Sequence, residues 1–244
     1  MNDHIERLRD DDDYYGDFGR QFMSNSDIGT LLNNPKEYGN PKETSKEMLI
    51  GRYFHQSILE PDKIRTFPIV SASTRNTNIY KDFLVSNGID KALLQSEVDE
   101  IDVCVLAMTS NLDFYGGIRQ LGNQYEVPMI KEIKGVLFKG KADILCTDKI
   151  IDLKTTTSIE KFKYSANTYN YDSQCYIYEQ LYDVPLVFYV VDKVTQMLGI
   201  FSPTEAFIDR GEQKVIKAIE MRRRYFGPNK IADPIDYFIE QDLH

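Results

Sequence analysis

Three cysteines in 244 residues, Cys104, Cys146 and Cys175, are too few and too scattered to organise this chain. None belongs to a Cys-x-x-Cys pair, which argues against zinc ribbons, a disulfide framework or an iron–sulfur cluster and leaves buried, reduced thiols as the expected state. No Gly-x-x-x-x-Gly-Lys-Ser/Thr phosphate loop occurs, so an ATP-driven motor would have to be a separate chain. No apolar stretch approaches the ~18 residues of a membrane span, and the N-terminus is too polar for a signal peptide. No membrane association is expected, and a cytoplasmic location is. Positive charge is also scarce: 29 Lys and Arg against 38 Asp and Glu give a formal net charge of −9. That balance cuts against a protein that holds DNA on a basic outer surface. There is no internal repeat, and the one low-complexity stretch is Asp10-Asp11-Asp12-Asp13.

The length suits one sizeable domain, and a hydrophobic content of 42% supports a proper core. An acidic segment over residues 1–22 is expected to be flexible. Residues 23–244 read as a single domain with a helical part to about 120, a sheet core over about 121–205, and a C-terminal helix and tail. Hydrophobic periodicity predicts helices over 26–34, capped by Ser26, and over 46–59, capped by Ser45. Further helices are predicted over 78–86, 89–95 and 97–113, strands between Glu126 and Lys154, and helices over 159–166 and 172–182. Strands over 186–192 and 197–202 and a helix over 204–226 complete the pattern. The fold class expected is α/β (α+β), a mixed central sheet flanked by helices.

Within that core one hairpin concentrates polar residues on an apolar strand. In Ile150-Ile151-Asp152-Leu153-Lys154-Thr155-Thr156 alternate side chains share a face, so Asp152 and Lys154 point one way and Ile151 and Leu153 the other. The preceding strand runs through Lys139-Gly140-Lys141-Ala142-Asp143. A two-residue turn at Asp148-Lys149 places Thr147 opposite Ile150, Leu145 opposite Asp152 and Asp143 opposite Lys154, gathering Asp143, Asp152 and Lys154 on one face. A three-residue loop would separate them. Clustered carboxylates suit a hard cation such as magnesium, which is commonly held by one or two carboxylates together with substrate phosphate. A neighbouring lysine could orient or deprotonate a water, or stabilise charge on a phosphate. Taken alone, an Asp-x-Lys pair is an ordinary surface ion pair.

The order of motifs along the chain is more specific than any one of them. Gly140-x-x-Asp143, Asp152-x-Lys154-Thr155-Thr156 and Gln174-x-x-x-Tyr178, preceded by Ser24-Asn25-Ser26-Asp27 and Gly51-Arg-Tyr-Phe-His55, resemble the PD-(D/E)xK nuclease superfamily, in particular its RecB-type and RecE-type exonucleases. The resemblance covers roughly residues 24 to 180. It implies a restriction-endonuclease-like core with Asp143 and Asp152 as metal ligands, Lys154 as the catalytic lysine and His55 as a histidine near the metal. Glu126 sits where related exonucleases carry a further acidic residue. Gln174 and Tyr178 match the helix that lines the site, and with Lys141, Thr155 and Thr156 they are the expected DNA contacts. The second acid is Asp152 rather than the commoner glutamate, which the family pattern allows.

The resemblance therefore implies a magnesium-dependent deoxyribonuclease, with manganese as a substitute, that degrades duplex DNA from its ends in the 5′-to-3′ direction. Its RecE-type and lambda-type members form rings around DNA and work beside a single-strand annealing protein, as in phage recombination. A ring would let an acidic protein hold DNA through its inner channel alone. Two alternatives stand beside this expectation: an endonuclease of the same superfamily, and a catalytically silent protein that binds DNA ends or a partner.

Overall fold

Apolar residues interleaved with the charges decide the fate of the first 22 positions. The computed structural model describes residues 2–41 and 43–240, and in it this segment forms helices α1 (Asn2–Arg7) and α2 (Asp11–Tyr15) rather than the expected flexible leader. Leu8, Tyr14 and Phe22 are buried against Ile130. Asp10 caps α2, its carboxylate accepting from the Asp12 and Asp13 N–H groups at 2.9 and 3.1 Å, and Asp13 pairs with Arg7 through two bonds of 2.6 Å. Acids in a first helical turn also complement the helix dipole. Local charge concealed this because the apolar partner, Ile130, lies far along the chain.

Helix α3 (Asn25–Asn33) begins at Ser24 rather than Ser26: the Asp27 carboxylate accepts from both the N–H and the hydroxyl of Ser24 at 2.8 Å. Helix α4 (Lys46–Leu59) begins at Ser45 as expected, with Oγ accepting from the Met48 N–H, and buries Leu49, Tyr53, Phe54 and Ile58. Strand β1 (Ile69–Val70) leads to α5 (Asn78–Asn87), which ends at Gly88 with φ +61°. The helix expected over 89–95 is absent. Leu93 and Leu94 form β2 (Leu93–Leu94), paired in parallel with β1, because both leucines find burial there. The helix expected over 97–113 is divided into α6 (Gln95–Ser110) and α7 (Leu112–Ile118), since the Asn111 side chain caps the second of them.

The main sheet contains β3 (Gln124–Ile133), β4 (Val136–Leu145), β5 (Ile150–Thr156), β6 (Leu186–Asp192) and β7 (Leu198–Phe201), in that order. All neighbours are antiparallel except β5 and β6. The parallel pair is joined by a crossover through α8 (Phe162–Thr168) and α9 (Tyr171–Tyr182). Helices α4 and α6 pack on one face; α9 and α10 (Glu205–Tyr225) pack on the other. The expected mixed sheet flanked by helices is present. Gly140 lets α9 lie close to β4, since a Cβ there would fall 2.6 Å from Leu181 Cδ1. No helix among the described residues is long and apolar enough to cross a membrane.

The β4–β5 turn is Thr147-Asp148, one position earlier than expected, so that Leu145 pairs with Ile150 and Ile144 with Ile151. The register moves by two, which preserves every side chain's face. Extended by one pair, it sets Asp143 across from Asp152 rather than Lys154. Pairing ends there, and the two strands part. Met23 fills the β4 edge that β5 vacates, donating to the Leu137 carbonyl and accepting from the Lys139 N–H.

At the same level the sheet rolls over. Ile144 packs on the α4 side and Ala142 on the α9 side, although residues two apart in a regular strand share a face. In β3 Tyr125 and Met129 are divided in the same way, and Glu126 between them adopts a left-handed φ of +49°. Such a backbone costs a non-glycine residue roughly 1–2 kcal/mol. The pairs Tyr125–Ile144 and Val127–Ala142 place Glu126 opposite Asp143, so both carboxylates sit where their strands turn over.

Candidate active site

Helix α4 delivers His55 to the gap between β4 and β5. Its Nε2 lies 2.8 Å from the Leu153 carbonyl and so carries the proton, donating to that oxygen. Nδ1 is consequently aimed, 3.3 Å away, at Asp143 Oδ2. The same Asp143 oxygen accepts from the Leu153 N–H at 2.8 Å, taking the place of a missing ladder bond. A lone pair facing a carboxylate is stable only with a cation between or beside them, either a proton or a metal.

Glu126 completes the group. One donor atom from each of His55, Glu126 and Asp143 lies within 4.8 Å of the others, a spacing that admits an ion bound at ~2.1 Å from each oxygen. Two carboxylates and one imidazole are suited to magnesium or manganese, which take mainly oxygen donors. The donor set and its spacing fit a divalent ion.

The proton states support this. Burial pushes the His55 pKa down, but the charge and hydrogen bond of Asp143 outweigh it and bring it to about 9. Burial and the charge of Asp143 lift Glu126 to about 8, while Asp143, despite its own burial, is held below the ordinary carboxylate range chiefly by His55. Both His55 and Glu126 must lose protons to ligate a metal. Manganese affinity is therefore expected to rise with pH between about 7 and 9, by up to about tenfold per unit for each proton displaced. Calorimetric titrations in buffers of different ionisation enthalpy would count those protons; an affinity flat across this range would remove both groups from the ligand set. Without metal the sign reverses for His55. Its raised pKa stabilises the fold fully below about 6.5 and ceases to do so as pH rises through about 9.

Asp152 lies beside this group. It is buried, its Oδ1 accepts from Gln174 Nε2 at 2.6 Å, and its Oδ2 lies 2.5 Å from Lys154 Nζ. Burial raises the Asp152 pKa, partly countered by Lys154. Burial lowers that of Lys154, but Asp152 and its neighbours overcome this and hold the ammonium charged. The ammonium also sits 5.1 Å from the ring centroid of Tyr171. Tyr171 was not singled out in the sequence, although it stands three positions before Gln174 and so shares its helix face.

Other expected DNA contacts are placed differently. Lys141 is only 8% exposed in its side chain, pairs with Asp11 at 2.7 Å and lies over the Tyr14 ring. Asp11 stands 130 residues away and gave no local signal. Tyr178 is bound to the β4 backbone, its hydroxyl donating to the Lys141 carbonyl at 3.0 Å. The Thr156 hydroxyl donates to the Ser158 carbonyl and closes a turn. Thr155 is half-buried and, by strand alternation, faces away from Lys154.

Comparison with known proteins is in keeping with this geometry. A crystal structure named "Putative exonuclease" from Eubacterium rectale superposes with a TM-score of 0.59 at 16% identity, over 93% of this chain and 92% of that one, and so shares its fold. A second solved structure, SSO0001, gives 0.36 at 14% identity over 75% of this chain and 87% of that one, too low to carry an argument. No curated protein matches the sequence. The family model described as a PDDEXK-like domain of unknown function (DUF3799) matches residues 27–222, most of the chain. On that match, the chain belongs to this PDDEXK-like family and has the fold of the PD-(D/E)xK nuclease superfamily.

Proposed function

We propose that this protein hydrolyses DNA phosphodiester bonds with a bound divalent ion, magnesium in the cell and manganese as a substitute. The observation that carries the reading is the convergence of His55, Glu126 and Asp143 beside the Asp152–Lys154 pair. In this reading His55, Glu126 and Asp143 hold the ion, with Asp152 available as a further ligand. A bound ion would polarise the phosphoryl oxygen and lower the pKa of a coordinated water. Lys154 orients the attacking water or stabilises the charge that grows on the phosphate. Gln174 fixes the Asp152 carboxylate by donating to Oδ1.

The finer assignment is a 5′-to-3′ exonuclease acting at duplex ends, in phage-type recombination or DNA processing in the cytoplasm of a bacterial host. It is supported by the RecE-type order of motifs and by the name of the Eubacterium rectale neighbour. A ring of identical subunits and a single-strand annealing protein as partner belong to the same reading.

Digestion of a linear duplex labelled separately at its 5′ and 3′ ends, against a closed circle, tests it with magnesium or with EDTA. The expected result is magnesium-dependent loss of the linear DNA alone, with the 5′ label released first. Cutting of the circle would replace the exonuclease with an endonuclease. Absence of cleavage with magnesium, or with manganese in its place, would leave a DNA-end or partner-binding protein.

A further inference from the structure

One cavity lies against the site without forming part of it. Between α8, β7 and the start of α10, the rings of Phe162, Phe188, Phe201 and Phe207 wall an open-mouthed space of about 250 Å³, with Lys163 and Arg210 at its rim. Its inner wall backs onto the candidate active site through one aromatic ring. Tyr171 stacks on Phe188 at 5.2 Å, lies 5.9 Å from Phe162 and has Lys154 Nζ 5.1 Å from its ring centroid. Phe188 is also the β6 partner of Asp152. The cavity thus begins one aromatic ring beyond the active-site ammonium.

Size, lining and charge narrow the occupant. An apolar cavity of roughly 150 Å³ accepts a benzene ring, so this one has room for a planar group of one or two rings. Its walls offer aromatic faces for stacking. Its rim is cationic: Arg210 and Lys214 share the single buried carboxylate of Asp172, and Lys163 is exposed with no carboxylate partner among the described residues. Flat apolar walls below a positive rim suit a base attached to a phosphodiester backbone. A base paired within a duplex could not enter, whereas an unpaired one could.

We infer that this cavity is a nucleobase subsite for an unpaired nucleotide of the DNA strand adjoining the scissile phosphate. The inference rests on the nuclease reading. It gives that site a means of gripping a frayed or single-stranded end, with stacking on the phenylalanines setting how far the strand advances past Lys154.

The test measures fluorescence-anisotropy binding of a duplex with a short single-stranded overhang, calcium replacing magnesium, followed by cleavage of the same DNA with magnesium. Ser202→Trp fills the exposed mouth of the cavity, and overhangs carrying one abasic nucleotide remove the base instead. Each change alone is expected to weaken binding roughly 5- to 100-fold, and the two together no more than either alone, because both delete one stacking contact. Lys163→Glu, at an exposed position, is expected to weaken binding and flatten its salt dependence, and serves if the tryptophan variant fails to fold. Wild-type binding by folded Ser202→Trp, or additive losses, would overturn the subsite while leaving the nuclease reading intact. Coincident losses in a protein that cleaves no DNA would sustain the subsite and overturn that reading instead. No binding of the overhang by the wild-type protein would overturn the subsite.

Discussion

Lys154→Ala is expected to abolish cleavage and also to weaken the fold. Read from the sequence, Lys154 is an exposed strand residue whose loss costs little stability. In the structure its side chain is 19% exposed and lies 2.5 Å from an Asp152 side chain that is 4% exposed. Removing the ammonium strands a buried carboxylate whose remaining side-chain donor among the described residues is Gln174. Breaking a buried pair from one side costs about 3–5 kcal/mol; the Gln174 bond and water entering the vacated space place this case near the lower end. The loss has a definite pH dependence. Burial already raises the Asp152 pKa, and without Lys154 it rises further. A carboxyl whose folded pKa exceeds its unfolded value loses stability as pH climbs from the ordinary carboxylate range through the folded value. Urea denaturation should therefore show a deficit at pH 8 that narrows at pH 5. Turnover should fall roughly 10²–10⁴-fold at either pH. Equal stability of variant and wild type at pH 8 would mean that Asp152 does not depend on Lys154.

Asp143→Asn is expected to remove most metal affinity, more than the roughly 10–100-fold that loss of an outer-shell partner costs, with little change in backbone structure. The amide oxygen can still accept from the Leu153 N–H, which the carboxylate does now at 2.8 Å. What disappears is the charge at the centre of the group, the one toward which His55 Nδ1 and Glu126 both converge. Asp152→Asn should weaken metal binding less, because Asp152 is not one of the three converging donors: its Oδ1 accepts from Gln174, and its Oδ2, which has no hydrogen bond among the described residues, faces the Lys154 ammonium at 2.5 Å. Titration calorimetry with manganese would rank the two variants. Equal losses would mean that the Asp152–Lys154 pair opens on binding and that Asp152 serves as a full ligand.

The candidate site residues are legible in the sequence because their signals are local. Asp152 and Lys154 stand out against Ile151 and Leu153 by strand alternation, and His55 lies on a segment whose leucines and aromatics repeat at helical spacing. The sequence pattern puts the hairpin turn one position too late, yet every face is preserved, since a shift of two in register leaves each side chain on its own side. Other features had no local signal. Leu93 and Leu94 resemble a helical segment until Ile69 and Val70 offer them a parallel partner. Lys141 reads as a free cation beside the site until Asp11 is brought to it. Tyr171 is one of 16 tyrosines, and only the crossover helix places its ring between Lys154 and the aromatic cavity.

By itself the sequence determined which side chains face the same way, because the periods of strand and helix are properties of neighbouring residues. Tertiary structure decided where the sheet opens. Helices packed on opposite faces draw Ile144 to one side and Ala142 to the other, forcing Glu126 and Asp143 to the point of reversal. The gap admits His55, and the folded N-terminal segment takes up Lys141. These are contacts between residues far apart in the chain, made favourable by burial of apolar surface on both faces, and no local pattern encodes them.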